Sequence, residues 1–376
     1  MHIPFKTKQR LKRILQQMLL PRVYQKARFS RIQKGKIIFA DGHCDTVNAS
    51  MKDLYNRLKS MGYNPMDLCA NYNNMSNVAV GKHVINFMKE YATAEYVFIS
   101  DYFLPVASCK KRKETKVIQL CHAGGMLKKM GYDAVDDLKG EGKANPTKNY
   151  DLVTTSAPVC EEVWANAWHI SKEKVRALGI ARTDKYYSKK WNQKNINRFY
   201  REYPEAKGKK ICIYAPSFEG NASKPYDTGL ESGILDIFKK LEDEWYVVVK
   251  LHPHMQARYP QYNCSMASEE LFAVADLLIT DYSSIIFDYM IYRKPFVLYA
   301  PGLEEYKKNR GFYLEYESLP GIVTKSTEEL YECMSTNKWK TDAKALDECF
   351  KKYMGSCDGK SIDRIIEACG LKKEER

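Results

Sequence analysis

Several signals are missing from this 376-residue sequence, and each absence removes a class of protein. No uncharged apolar run reaches the roughly 18 residues that a membrane-spanning helix needs. The eleven cysteines run from Cys44 to Cys369, are odd in number and form no CxxC pair, so they read as small apolar residues in a reducing cytosol rather than a disulfide framework. The seven histidines contain no HExxH, and no DxD or carboxylate cluster stands out, so neither a metal nor another cofactor is expected. No repeat or low-complexity segment interrupts the chain. With 44% apolar and 28% charged residues it reads as globular rather than disordered. It is too long for one core, which stops growing at roughly 250 to 300 residues, so two domains are expected.

Acidic residues are missing from the first forty positions, where Lys6, Lys8, Arg10, Lys12, Arg13, Arg22, Lys26, Arg28, Arg31, Lys34 and Lys36 precede the first acid, Asp41. Such a run seeks an anionic surface and supplies much of the formal net charge of +14. Within it Leu11, Ile14, Leu15, Met18 and Leu19 recur at helical spacing, with Lys12, Arg13, Gln16 and Gln17 opposite. Residues 1–35 therefore read as a basic amphipathic helix lying in a membrane interface, against the plainer alternative of a helix packed on the body of the protein. Arg13, Gln16 and Gln17 interrupt any secretory h-region and no membrane-spanning run is present, so the protein reads as cytosolic with at most a peripheral hold on the membrane. No nucleic-acid-binding module follows the arm, and its basic residues are not interleaved with aromatics, so no nucleic-acid partner is expected.

Beyond the arm, short apolar runs alternate with amphipathic stretches, the pattern of parallel sheets covered by helices. KIIFADG (36–42), YVFISD (96–101), KVIQLCHAG (116–124) and DLVTTSA (151–157) read as strands of a domain over 36–190. MKDLYNRLKSMG (51–62) and GKHVINFMKEYA (81–92) read as helices, with Asn48 or Ser50 as caps of the first. Ser156 followed by Pro158 suggests another helix start. A polar stretch from Tyr186 to Lys210 precedes a second domain over 205–376, with strands in KKICIYAPSF (209–218), WYVVVKLHPH (245–254), DLLITDYSS (276–284) and PFVLYAP (295–301) and a capping box in STEELYECM (326–334). Two doubly wound Rossmann-type domains facing a cleft are the expected fold, with ligands bound beyond the carboxyl ends of the strands.

Three strand ends carry polar groups suited to one chemistry. In TDYSS, Thr280, Asp281, Ser283 and Ser284 crowd the step from strand to helix, where free backbone N–H groups and the helix dipole favour an anion such as phosphate. Simple N-capping by one serine is the competing explanation. His122 lies in LCHAGG (120–125) and His252 in KLHPH (250–254); a histidine at a strand tip serves as base or as charged donor near neutral pH. Gly124 and its neighbours after His122 leave room for close backbone approach, and Pro253 fixes the exit of His252.

QLCHAGGMLKKMGY (119–132), GIARTDKYY (179–187), YAPSF (214–218), KLHP (250–253), TDYSSIIFDY (280–289) and RGFYLEYESLPG (310–321) together resemble, in order, the CDP-glycerol glycerophosphotransferases of teichoic-acid synthesis. The resemblance implies a GT-B-like fold, membrane association on the cytoplasmic face, and transfer of glycerol phosphate or a related polyol phosphate from CDP-glycerol or CDP-ribitol to a lipid-linked polymer acceptor. It implies that His122 and His252 are the catalytic pair. Thr280, Asp281, Ser283, Ser284, Asp288 and Pro253 would contact the donor, and Gly124, Lys128, Arg182 and Arg310 the acceptor or secondary positions. Two positions depart from the family pattern: Cys121 stands where a tryptophan is usual, and Glu219 where an arginine is common. A nucleotide-sugar glycosyltransferase or epimerase of the same fold is the alternative enzyme, and a noncatalytic membrane scaffold the alternative class.

Overall fold

A computed structural model of the protein describes residues 15–134, 145–217, 219–221, 224–226, 230, 233–251, 255, 259–262 and 264–372; at 15, 16, 219–221 and 224–226 only the backbone is described. The described residues form two compact units. One is drawn from Met1–His122, Lys139–Arg182 and Lys360–Arg376, the other from Ala123–Leu138 and Thr183–Gly359.

The first unit is built on a six-stranded sheet of β1 (Gln33–Asp41), β2 (Met66–Cys69), β3 (Ala94–Ile99), β4 (Lys116–Gln119), β5 (Leu152–Thr154) and β6 (Val175–Arg176). The order is β2-β1-β3-β4-β5-β6, and every pairing is parallel. Parallel strands need crossovers, and the helices Ala49–Ser60 and Asn77–Tyr91 supply two of them. β1 shows why this sheet is internal: Ile37, Ile38, Phe39 and Ala40 are all fully buried, so both faces are covered. Ile37 and Phe39 join Tyr96, Phe98, Ile118 and Leu120 on one face, packed by Met51, Leu54 and Leu58 of the first helix and by Ile365, Ile366 and Cys369 of the helix Ser361–Cys369.

The second unit has a five-stranded sheet of β7 (Lys210–Tyr214), β10 (Trp245–Val249), β11 (Leu277–Thr280), β12 (Phe296–Tyr299) and β13 (Ile322–Thr324), in the order β10-β7-β11-β12-β13 and again all parallel. A two-stranded antiparallel ribbon, β8 (Glu219–Asn221) with β9 (Lys224–Tyr226), follows β7. The core of this unit joins Cys212, Tyr214, Trp245, Leu277, Ile279, Val297 and Tyr299 from the strands of the larger sheet to Ile234, Phe238, Leu330 and Trp339.

Local details depart from expectation for identifiable reasons. Ser156 does not cap the helix Val159–Ala167, because Pro158 itself stands at the N-cap. Ser326 caps Thr327–Ser335 through the Glu329 amide (3.2 Å), but the Glu329 carboxylate reaches back to the amide of Lys325 (2.6 Å). The polar stretch after Tyr186 holds the helix Lys189–Glu202, capped by Ser188. Of the amphipathic arm, Leu11 and Ile14 lie outside the described residues. Leu15–Leu19 forms a π-helical turn leading into the helix Leu20–Ala27. That helix buries Leu20 and Tyr24, and Tyr24 meets Tyr91 of Asn77–Tyr91 at 5.2 Å. No described helix is long and apolar enough to cross a membrane.

Candidate active site

In the first unit the polar groups gather where β1, β3 and β4, neighbours in the sheet, end. Asp41 closes β1 and is 3% exposed, so its charge must be met by hydrogen bonds. Its Oδ1 accepts from the His43 amide (2.6 Å), and its Oδ2 from Asn48 Nδ2 (3.0 Å) and Ser100 Oγ (3.4 Å). Burial works to raise the Asp41 carboxyl's pKa, but the hydrogen bonds and charge of His43, with Ser100, hold it below the ordinary value. The His43 ring, over half exposed, has Nδ1 3.6 Å from Asp41 and 3.9 Å from Asp101; its pairing with the Asp41 carboxylate raises its pKa, burial opposes this, and the charge of Asp101 adds to it. His122 follows β4 and is exposed, with Nδ1 2.9 Å from the Ser100 carbonyl oxygen. A carbonyl only accepts, so Nδ1 carries the hydrogen and the neutral ring presents its lone pair at Nε2. The adjacent Cys121 is buried, its amide donating to Thr154 Oγ1 (3.3 Å) and its thiol pushed well above the ordinary value by burial.

In the second unit the TDYSS turn ends β11. Thr280 is buried, its hydroxyl donating to the Ala215 carbonyl (2.6 Å). Both carboxylate oxygens of Asp281 lie 2.9 Å from the Ser217 amide, which ties this turn to the YAPSF segment; burial raises its pKa, opposed first by Ser217 and then by the charge of Lys128. The helix that follows, Ile285–Met290, is short, and Ser284 at its N-cap makes no side-chain cap bond. Ser283 Oγ accepts from the Ile285 amide at 3.4 Å. Both serines are partly exposed, and N-capping accounts for the Ser283 hydroxyl but not for that of Ser284. Asp288, four residues past Ser284 in that helix, is buried and accepts from the Tyr186 hydroxyl (3.2 Å).

Two motifs far apart in sequence meet in this unit. The Lys129 amide donates to the Gly311 carbonyl (3.1 Å), the Tyr313 amide to the Leu127 carbonyl (2.9 Å) and Arg310 Nε to the Lys129 carbonyl (2.8 Å), so Lys128 and Phe312 form an antiparallel bridge. Tyr316 then donates to the Asp281 carbonyl (2.9 Å). Lys128, Arg310 and the TDYSS turn thus belong to one assembly.

The room expected beside Gly124 is filled by protein: a Cβ there would lie 2.5 Å from Met354 Sδ, and at Gly125 (φ +65°) 2.4 Å from the Phe287 ring. These glycines seat the segment against the helix that follows TDYSS. Arg182, half-buried, lies in the 3-10 stretch Ala181–Tyr187. His252 and Pro253 lie outside the described residues, as does the side chain of Glu219. Among the described residues no group of three or more His, Cys, Asp or Glu is placed to hold a metal ion. Reading the motifs missed Asp41, Ser100, Ser217 and Tyr316; the one signal available was that Asp41 and Ser100 each stand at the carboxyl end of a predicted strand.

The profile of the CDP-glycerol:poly(glycerophosphate) glycerophosphotransferase family matches residues 22–369. The chain belongs to that family. A teichoic acid ribitol-phosphate primase of Bacillus spizizenii is 31% identical over 356 residues, 89% of this chain and 91% of the relative. A teichoic acid glycerol-phosphate primase of Bacillus subtilis is 28% identical over 306 residues, 76% of each. In fold the chain is similar to the wall teichoic acid polymerase TagF, with a TM-score of 0.71 at 19% identity over 97% of this chain and 96% of that one. Membership makes the protein a phosphotransferase of the glycerophosphotransferase kind and displaces the nucleotide-sugar and scaffold alternatives.

Proposed function

We propose that the protein transfers glycerol phosphate or ribitol phosphate from the CDP-activated polyol to a terminal hydroxyl of a lipid-linked teichoic acid acceptor, releasing CMP at the cytoplasmic face of the membrane. The observation that carries the catalytic assignment is the His122 ring, exposed at a strand end with Nδ1 bonded to the Ser100 carbonyl. His122 Nε2 takes the acceptor hydroxyl's proton as its oxygen attacks the distal phosphorus; the bond from that phosphorus to the bridging oxygen breaks, and CMP leaves with the electron pair. Charge stabilisation matters more here than protonation of the leaving group, since CMP departs as a stable anion. Ser284, whose hydroxyl makes no cap bond, holds the donor diphosphate together with Ser283 and His252. Lys128, bridged to Phe312 and close enough for its charge to act on Asp281 of the same turn, supplies positive charge beside it. Arg182 is assigned to the acceptor or a secondary position.

The membrane hold is assigned to the start of the chain. Phe29 is 93% exposed, Met18 and Leu19 are exposed, and Arg22, Lys26, Arg28, Arg31 and Lys34 surround them in sequence, also exposed. Apolar side chains among lysines and arginines suit an anionic lipid surface.

Purified protein offered CDP-glycerol or CDP-ribitol with a lipid-linked acceptor should release CMP with one of them. His122→Ala and His252→Ala should each slow release at least about a hundredfold, the scale of losing a proton-transfer or charge-stabilising group. Near-normal turnover in either variant removes that residue from the mechanism.

A further inference from the structure

We propose that Asp41, acting through Asn48 and Ser100, is the positioning residue that aims His122. The inference rests on the proposed role of His122 as base. Asp41 and Ser100 are 3% and 1% exposed and sit at the ends of adjacent strands. Asn48 joins them: its Nδ2 donates to Asp41 Oδ2 (3.0 Å) and to Ser100 Oγ (2.8 Å), while its Oδ1 caps the helix Ala49–Ser60 through the Ser50 amide (3.0 Å). Ser100 Oγ thus accepts from Asn48 and donates to Asp41 (3.4 Å), which leaves the residue little freedom to turn.

That restraint matters because the Ser100 carbonyl is what the ring of His122 answers to. Tilt of the 100–101 peptide plane would take the carbonyl oxygen off the line of Nδ1–H, and the neutral ring would then be free to carry its hydrogen on Nε2, where it cannot accept a proton. Asp41 does not need to touch substrate; its buried charge locks Asn48 and Ser100, and they lock the tautomer. The arrangement follows the logic of an acid that orients a histidine, with a backbone carbonyl as the group in contact with the ring. None of the three residues belongs to a motif that carried the family resemblance.

The test uses the full-length protein, Asp41→Ala, Ser100→Ala and His122→Ala, with CDP-glycerol or CDP-ribitol, whichever wild type turns over. Asp41→Ala and Ser100→Ala are expected to lower kcat roughly 10- to 100-fold, as loss of a supporting residue does, with KM for the donor nearly unchanged. Imidazole nitrogen NMR, with the His122 signals identified by their loss in His122→Ala, should show the neutral wild-type ring protonated at Nδ1 and both variants shifted toward Nε2. The double variant Asp41→Ala/His122→Ala should be no slower than His122→Ala alone, because residues acting through one group are not additive. An unchanged tautomer in both single variants, or a double variant slowed by the product of the singles, overturns the proposal. Should Asp41→Ala not fold, Ser100→Ala with His122→Ala carries the same two readouts. If His122→Ala retains activity, the base assignment falls while the nitrogen spectra still decide whether Asp41 orients the ring.

Discussion

Gly125 and Gly208 both hold left-handed backbone, with φ of +65° and +82°, but only Gly125 is hemmed in, by the Phe287 ring, while nothing lies within 4 Å of a Cβ at Gly208. Alanine at Gly208 should therefore cost only the left-handed penalty, about 1 kcal/mol. At Gly125 it should cost a further ~1–3 kcal/mol of overpacking, and urea unfolding of the two variants measures the difference. His43 offers a second residue-level test. Its pKa is raised above 6.5 by pairing with the Asp41 carboxylate 3.6 Å away, against burial and with help from the Asp101 charge. A folded pKa above the unfolded one means that the pairing stabilises fully below about 6.5 and is lost as pH rises through the folded value. Wild type should lose stability across that window, and His43→Gln should flatten the loss; parallel pH profiles for the two proteins would argue against the pairing.

The helix Leu20–Ala27 divides into two roles along its length. Tyr24, fully buried, packs on Tyr91 and accepts a hydrogen bond from the Arg112 amide (2.9 Å), so Tyr24→Ala should destabilise by about 3 kcal/mol. Phe29, just past the helix, touches little protein, and Phe29→Glu should leave the melting temperature unchanged while weakening binding to anionic vesicles, more so at low salt. Sedimentation with vesicles at two salt concentrations beside a thermal melt checks both. Elements of this kind were partly legible. The 3.6-residue spacing of Leu11 to Leu19 reads as an amphipathic helix, of which the described part, Leu15–Leu19, is a π-helical turn, and burial of Leu20 and Tyr24 depends on Asn77–Tyr91 lying beside them, which no spacing in the arm encodes. Apolar runs such as YVFISD and PFVLYAP announced β3 and β12. β6 and β13, two and three residues long, carry too little pattern to be seen and exist because a neighbouring strand pairs with them.

At the level of the whole molecule the chain leaves the first unit and comes back to it. The helix Ser361–Cys369 packs Ile365 and Ile366 into the core of β1, β3 and β4, and the Tyr96 hydroxyl bonds the Cys369 carbonyl (3.0 Å). Ile365→Ala should accordingly cost about 2–5 kcal/mol, read as an earlier unfolding transition. Transfer itself is expected to persist in EDTA, since the donor phosphates are assigned to Ser283, Ser284, His252 and Lys128. Complete loss restored by magnesium would mean that the diphosphate is neutralised by another route.

Short apolar runs alternating with amphipathic stretches, and polar strand tips, were enough to read parallel sheets, the TDYSS turn and a histidine at the end of a strand, because these are local consequences of backbone geometry and burial. The order of six blocks along the chain was enough to place it in its family. Which groups meet was not readable there. Asp41, Asn48, Ser100 and His122 lie 81 residues apart at their extremes and join only because β1, β3 and β4 become neighbours. Lys128 reaches the TDYSS assembly through a bridge to Phe312, and Gly124 receives Met354 where open space was expected. Hydrogen bonds and close packing act over about 3 to 4 Å, so partners distant in sequence are chosen by the register of the folded sheet, not by spacing along the chain.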